Sequence, residues 1–217
     1  MQLRSIAAAL FFTAVALIAP ATAAQRVPVK AHDPAGKQLV ERLRGGGLIL
    51  FFRHADTAGM PCDRTFRVGD RGGQRNISAT GQVQSRRIGE AITNLGIPIA
   101  YPVLTGPVFR ARDTAELAFG RERVEVTDSL LADDYSGERL QWVLAEHRRL
   151  FNDPVAGTAN RVLVGHRTPA IMVLGDSVGG KAFPEGAALV LEPSSGKPQV
   201  LGILMFAPIP GGGFHSC

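Results

Sequence analysis

Strands alternating with helices along this chain predict an α/β sandwich on a mainly parallel sheet. Two observations carry that expectation. Short unbroken apolar runs, Leu48-Ile49-Leu50-Phe51-Phe52 and Val162-Leu163-Val164, suit strands buried on both faces. Between such runs lie segments with apolar residues at helical spacing, bounded by capping residues or glycine. The composition agrees. A chain of 217 residues, 45% apolar and 20% charged, can bury one sizeable core and is not a disordered tail.

Gln25 to Ala31 reads as an exposed lead-in. Asp33-Pro34 starts a helix, with Asp as N-cap and Pro in the first turn, and Gly45-Gly46-Gly47 stops it after Arg44. The first strand follows over 48–52, then a polar loop from Ala58 to Arg75. Ser78 or Thr80 caps a helix carrying Val83, Ile88, Ala91, Ile92 and Leu95, with Gly96 at its end. Val103-Leu104 is the second strand, followed by a helix from about Pro107 to Phe119, and 124–126 is a third strand. Gly137 to Phe151 is an amphipathic helix with Leu140, Val143, Leu144, His147 and Phe151 on one stripe. The fourth strand is 162–164, with Thr168-Pro169 capping the helix after it; 187–191 and 200–205 close the sheet.

The N-terminus has a different logic. Arg4, an apolar run from Ile6 to Ala19, Pro20 and Ala21-Thr22-Ala23-Ala24 form the three regions of a secretory signal peptide. The run is shorter than the roughly 20 residues that span a bilayer. Residues 1–24 are therefore expected to be removed near Ala23 or Ala24, leaving 25–217 as a single periplasmic or secreted domain without stable membrane insertion. Loss of Arg4 lowers the net charge from +5 to +4, which favours anionic partners without specifying nucleic acid. Two cysteines, Cys62 and Cys217, exclude a four-cysteine zinc module and an Fe–S protein. In an exported chain they are expected to form one disulfide.

Ligands of open α/β sheets bind beyond the carboxyl ends of the strands. Arg53-His54 follows the first strand, Arg110 lies in the first turn after the second, and His166 follows the fourth. Two arginines and two histidines on one rim suit a phosphate group. Guanidiniums hold phosphoryl oxygens bidentately, and a neutral imidazole can attack phosphorus while a second donates to an oxygen. A guanidinium buried beside an apolar strand also needs a counter-charge, which an anionic ligand would provide.

The chain resembles the histidine phosphatase (phosphoglycerate-mutase-like) superfamily at five places in order. Phe52-Arg53-His54-Ala55-Asp56-Thr57 is similar to its Arg-His-Gly signature, with Ala55 at the glycine. The segment from Thr105 to Ala115, with Arg110-Ala111 and Thr114-Ala115, resembles the second motif. Asn76-Ile77-Ser78-Ala79-Thr80-Gly81, Val162-Leu163-Val164-Gly165-His166 and Pro184-Glu185-Gly186-Ala187 resemble the remaining three. The resemblance implies a three-layer α/β/α sandwich and metal-independent hydrolysis of phosphomonoesters through a phosphohistidine. It implies His54 as nucleophile, Arg53, Arg110 and His166 as the phosphate pocket, and Arg75 as a further pocket arginine. Thr57 is placed with the substrate-binding residues. For the proton donor it points to the stretch Leu131 to Gly137, where Asp133 is the first choice and Asp134 the second. No cofactor and no metal are expected. The expected partner is a phosphorylated small molecule or surface glycan. Nucleic acid is not expected, because aromatics are only 6% and form no stacking platform.

Two other readings stand beside this one. The first is a non-catalytic phosphate- or anion-binding protein on the same fold. The second is a serine esterase, because Gly175-Asp176-Ser177-Val178-Gly179 matches the nucleophile-elbow pattern, with Glu192 and His215 following in order. That elbow requires a strand before Ser177. Of the remaining histidines, His147 is expected in the core, and His32 and His215 in solvent. Arg71, Arg75, Arg86 and Arg87 form a basic stretch, either a solvated face or a steering surface for an anionic substrate.

Overall fold

The computed structural model describes residues 24–215. The signal-peptide expectation for residues 1–24 falls almost wholly outside them. The expected Cys62–Cys217 bridge also ends outside them at Cys217, while Cys62 itself is disulfide-bonded. No helix among the described residues is long and apolar enough to cross a membrane.

Seven strands form one sheet: β1 (Val29–Lys30), β2 (Ile49–Arg53), β3 (Ile99–Thr105), β4 (Val124–Val126), β5 (Asn160–Gly165), β6 (Ala187–Glu192) and β7 (Gln199–Met205). Their spatial order is β1-β7-β6-β2-β5-β3-β4, with β6 antiparallel to both its neighbours and every other pairing parallel. The helices are α1 (Pro34–Arg44), α2 (Ala79–Asn94), α3 (Phe109–Phe119), the single turn α4 (Asp133–Ser136), α5 (Leu140–Asn152) and α6 (Arg167–Leu174).

The two-residue period of a strand explains the layers. In β2, Leu50 and Phe52 face one core with Val40 and Leu43 of α1, Ile88 and Ile92 of α2, and Ala115 and Phe119 of α3. Ile49 and Phe51 face the opposite core, with Leu150 and Phe151 of α5 and Ala170 and Leu174 of α6. The result is three layers, α1–α2–α3 over the sheet over α5–α6. A small third cluster of Val108, Leu131, Ala132 and Val143 seats α4 beside the start of α3.

Ser78 rather than Thr80 caps α2, accepting from the Gly81 amide at 2.9 Å. Gly81 itself is required by close approach, since a Cβ there would lie 2.1 Å from the Asp56 carbonyl oxygen. Several expectations change. α5 starts at Leu140, behind the 3-10 turn Gly137–Arg139, and β3 starts at Ile99, four residues before Val103. The lead-in is not free, because Val29 and Lys30 pair with Leu204 and Met205 and Ala31 is buried. α3 starts at Phe109, two residues later than expected. The N-cap of α6 is His166, not Thr168, and it makes no side-chain capping bond.

Candidate active site

Strand register builds the floor of the site. β2 and β5 are parallel with Arg53 opposite Gly165, so the next residues, His54 and His166, leave the sheet side by side. The His54 amide donates to the Gly165 carbonyl at 3.0 Å, and the two imidazole centroids are 5.5 Å apart. β3 is the next strand; Thr105 pairs with Val164, and α3 then brings Arg110 to the same end. The backbone beyond His54 is held from two helices, the Ala55 amide by Thr114 Oγ1 and the Asp56 amide by Gln84 Oε1, both at 2.9 Å. Ala55 is fully buried and does not have a positive φ, so a methyl group replaces the signature glycine without backbone strain.

His54 Nδ1 lies 2.9 Å from the Ala55 carbonyl oxygen. A carbonyl only accepts, so Nδ1 carries the hydrogen and Nε2 the lone pair. Burial, then Arg53, Arg110 and His166, holds the His54 pKa well below its ordinary value. Burial, then Arg110 and His147, does the same for His166. Both imidazoles are therefore neutral at neutral pH, and His166 Nε2 is buried without a hydrogen-bond partner.

The arginines are differently compensated. Arg53 Nη2 donates to Glu185 Oε1 at 3.1 Å, and Nη1 donates to the carbonyls of Phe183 and Gly213. Its counter-charge is thus a protein carboxylate, where an anionic ligand was expected to provide one. Burial still pulls Arg53 down to about 10. Arg110 Nη1 pairs with both oxygens of Asp63, at 3.2 and 3.1 Å. Arg75 is buried, yet neither its Nε nor its Nη1 has a partner, and burial followed by Arg110 lowers its pKa. Arg53 also feels Arg167, whose Nε is unpartnered too. Four guanidiniums thus act on one another, and the buried carboxylates Glu185 and Asp63 pair with two of them.

Thr57 is buried and donates to Glu185 Oε1 at 3.1 Å, which places it as a support of that carboxylate. Asp133 opens α4, half-buried and within electrostatic reach of Arg110. Burial and then Asp134 raise its pKa, which favours the protonated form a general acid needs. Asp134 is exposed. Of the basic stretch, Arg75 belongs to the site, while Arg71 forms a bidentate pair with Asp113 and lies over the Phe109 ring. Arg86 and Arg87 are exposed on α2.

Several residues of this site had no role in the sequence reading. Glu185 and Asp63 pair the arginines, and Tyr135 donates to Asp63 Oδ1 at 2.9 Å. His215, expected in solvent, lies 2.8 Å from Glu185 Oε2. Among the described residues, Asp56, Glu185 and His215 also have ligand atoms close enough to hold a cation, all within 4.8 Å. Their oxygens already accept from Ser78, Arg53, Thr57 and His215. Ser177 lies in the 3-10 turn Asp176–Val178 after a helix, so the strand-to-helix elbow is absent. Glu192 pairs with Arg42 instead of serving a triad. These placements remove the serine-esterase reading.

No protein-family model matches the chain, and no curated protein does. Solved structures do. The chain is similar to the protein histidine phosphatase SixA complexed with tungstate, at a TM-score of 0.52 and 19% identity over 73% of this chain and 97% of that one. It is also similar to phosphoglycerate mutase from Thermus thermophilus, at a TM-score of 0.47 and 21% identity over 72% of this chain and 98% of that one. The fold, a mostly parallel sheet between two helical layers, is the fold of the histidine phosphatase SixA.

Proposed function

We propose that this chain is an exported phosphatase that hydrolyses phosphomonoesters through a phosphohistidine on His54, without a metal ion. One observation carries the reading. Two neutral imidazoles stand together among four guanidiniums, and Nε of Arg53, Arg75, Arg110 and Arg167, Nη1 of Arg75 and Nε2 of His166 are all buried without partners. Leaving so many donors unsatisfied is costly unless an anion completes them. A tetrahedral dianion, with acceptors on every side, is the ligand chemistry that suits them. The SixA neighbour, a phosphatase holding tungstate, fits the same reading.

The chemistry follows from the atoms. The lone pair of His54 Nε2 attacks phosphorus in line, and the ester oxygen leaves. Arg53, Arg75, Arg110 and His166 stabilise the charge on the equatorial oxygens, the role a divalent ion has in other phosphatases. Asp133 protonates the leaving oxygen, then takes a proton from the water that hydrolyses the phosphohistidine. Phosphate leaves and His54 is restored. The signal-peptide pattern supports export and so favours hydrolysis over transfer among cytoplasmic sugar phosphates.

Phosphate release from p-nitrophenyl phosphate and a panel of phosphorylated sugars and glycans tests the reading. Turnover that persists in EDTA and is inhibited by orthovanadate is expected. Phosphate binding with no turnover on any ester would leave the anion-binding protein. Turnover that requires added metal would overturn the metal-free mechanism. N-terminal sequencing of the native protein should begin near Ala24 or Gln25; an intact Met1 contradicts export.

A further inference from the structure

Residues 213–215 lie against the Arg53–Glu185 ion pair of the site. The Gly213 carbonyl accepts from the Glu185 amide at 2.8 Å and from Arg53 Nη1 at 3.3 Å. The Phe214 ring centroid is 5.8 Å from the Arg53 guanidinium carbon. His215 Nδ1 is 2.8 Å from Glu185 Oε2 and 3.6 Å from Asp56 Oδ1, with its ring packed against Gly59. Three successive tail residues thus engage the Arg53–Glu185 pair.

Glu185 connects the tail to the pocket. Its side chain has no solvent exposure. Oε1 accepts from Arg53 Nη2 and Thr57 Oγ1, and Oε2 faces His215. A carboxylate only accepts, so His215 Nδ1 is the donor. A buried carboxylate with one oxygen undonated would turn toward whatever donor remains, and here that would draw it further onto Arg53. Nε of Arg53, which has no partner, would then be re-aimed and lost to a ligand.

We propose that His215 is a positioning residue of the phosphate pocket: by donating to Glu185 Oε2 it fixes the carboxylate that orients Arg53. The proposal rests on the reading of this pocket as a phosphate site. It differs from a purely structural role in its readout, because the hydrogen bond governs anion affinity and not only folding.

The experiment compares the full-length protein with His215→Ala, His215→Phe and His215→Asn. Phe keeps the ring packing and lacks the donor; the Asn amide replaces the Nδ1 donor. Melting temperature, inorganic phosphate Kd and kcat/KM for p-nitrophenyl phosphate are measured for each. Loss of a charge-assisted hydrogen bond predicts that Ala and Phe weaken phosphate binding roughly ten- to a hundredfold. Asn should stay within about threefold of wild type, because the donor is kept and only slightly shifted. Wild-type phosphate affinity in the Phe variant overturns the proposal while leaving the phosphatase reading intact. Asn weakened as much as Phe also overturns it, even should the Ala variant not fold. A wild-type protein that neither binds phosphate nor hydrolyses esters removes both.

Discussion

The floor and the wall of the pocket are built in different ways. The floor is backbone. His54 and His166 are neighbours because Arg53 and Gly165 are paired across two parallel strands. The wall is a set of side-chain ion pairs reaching across the sequence, Arg53 to Glu185 over 132 residues and Arg110 to Asp63 over 47. A sheet ladder cannot shift one residue without turning every side chain to the other face. An ion pair can be broken singly. The floor should therefore control whether chemistry occurs, and the wall how tightly the anion is held and how well its leaving group departs.

The sharpest break is in the floor. His54→Ala should lower kcat by on the order of a thousandfold or more with little change in phosphate Kd, because the attacking atom is gone and the arginines remain. Equal losses in kcat and affinity would blur the distinction. In the wall, Glu185→Ala leaves the Arg53 guanidinium buried and uncompensated. Breaking such a pair costs about 3–5 kcal/mol, so thermal or urea denaturation should show a large loss of stability. Activity should fall by on the order of a hundredfold through a looser pocket.

Asp133→Asn is read through kcat/KM, which reports phosphoryl transfer to His54 and not the later attack of water in which Asp133 is the base. With alkyl phosphates, whose leaving alkoxide needs a proton, kcat/KM should fall roughly ten- to a hundredfold, within the usual range of general-acid catalysis. With p-nitrophenyl phosphate it should change little, since nitrophenolate leaves unprotonated. An acid works only while protonated, so the wild-type rate on alkyl esters should decline as pH rises through the raised Asp133 pKa. That limb should be absent in the Asn variant.

The smallest effect on rate is expected at a third buried histidine. His147 lies in the α5–α6 core against Phe51 and Phe151, with Nδ1 donating to the Val143 carbonyl. Burial lowers its pKa from 6.5 to about 4. Between those values the unfolded chain binds the proton and the folded chain does not. Stability therefore falls as pH drops below 6.5 and levels off near 4. The loss is roughly 3 kcal/mol from this group. His54 and His166 add to it in the same direction. His147→Leu should leave kcat within about twofold, since this imidazole has no place among the groups that hold the phosphoryl oxygens, and flatten the acid limb of a denaturation series. An unchanged limb would show that another group sets it.

The same division decides what was legible in the sequence. The floor was, because each histidine follows an apolar run, His54 after 48–52 and His166 after 162–164. Of the wall, Arg53 and Arg110 were, each close behind such a run, but their carboxylate partners were not. Glu185 stood in a recognised loop, but its partner is a contact between distant segments that no local pattern encodes. Asp63 was one acid in a loop of mixed charge. His215 was assigned to solvent from its place near the chain end, whereas Glu185 draws it inward. β1 is two residues long, too short to show an alternation. The α6 start was misplaced because His166 caps without a side-chain bond, so no Ser, Thr, Asp or Asn marks it.

The central claim is a covalent bond between His54 and phosphorus. The direct measurement is acid-free quenching of the enzyme during turnover of a labelled phosphomonoester, followed by peptide mapping. The account predicts label on the peptide containing His54, stable in alkali and lost in acid, and absent from the His54→Ala protein. Label on Ser177, or full activity in the His54→Ala protein, would contradict it.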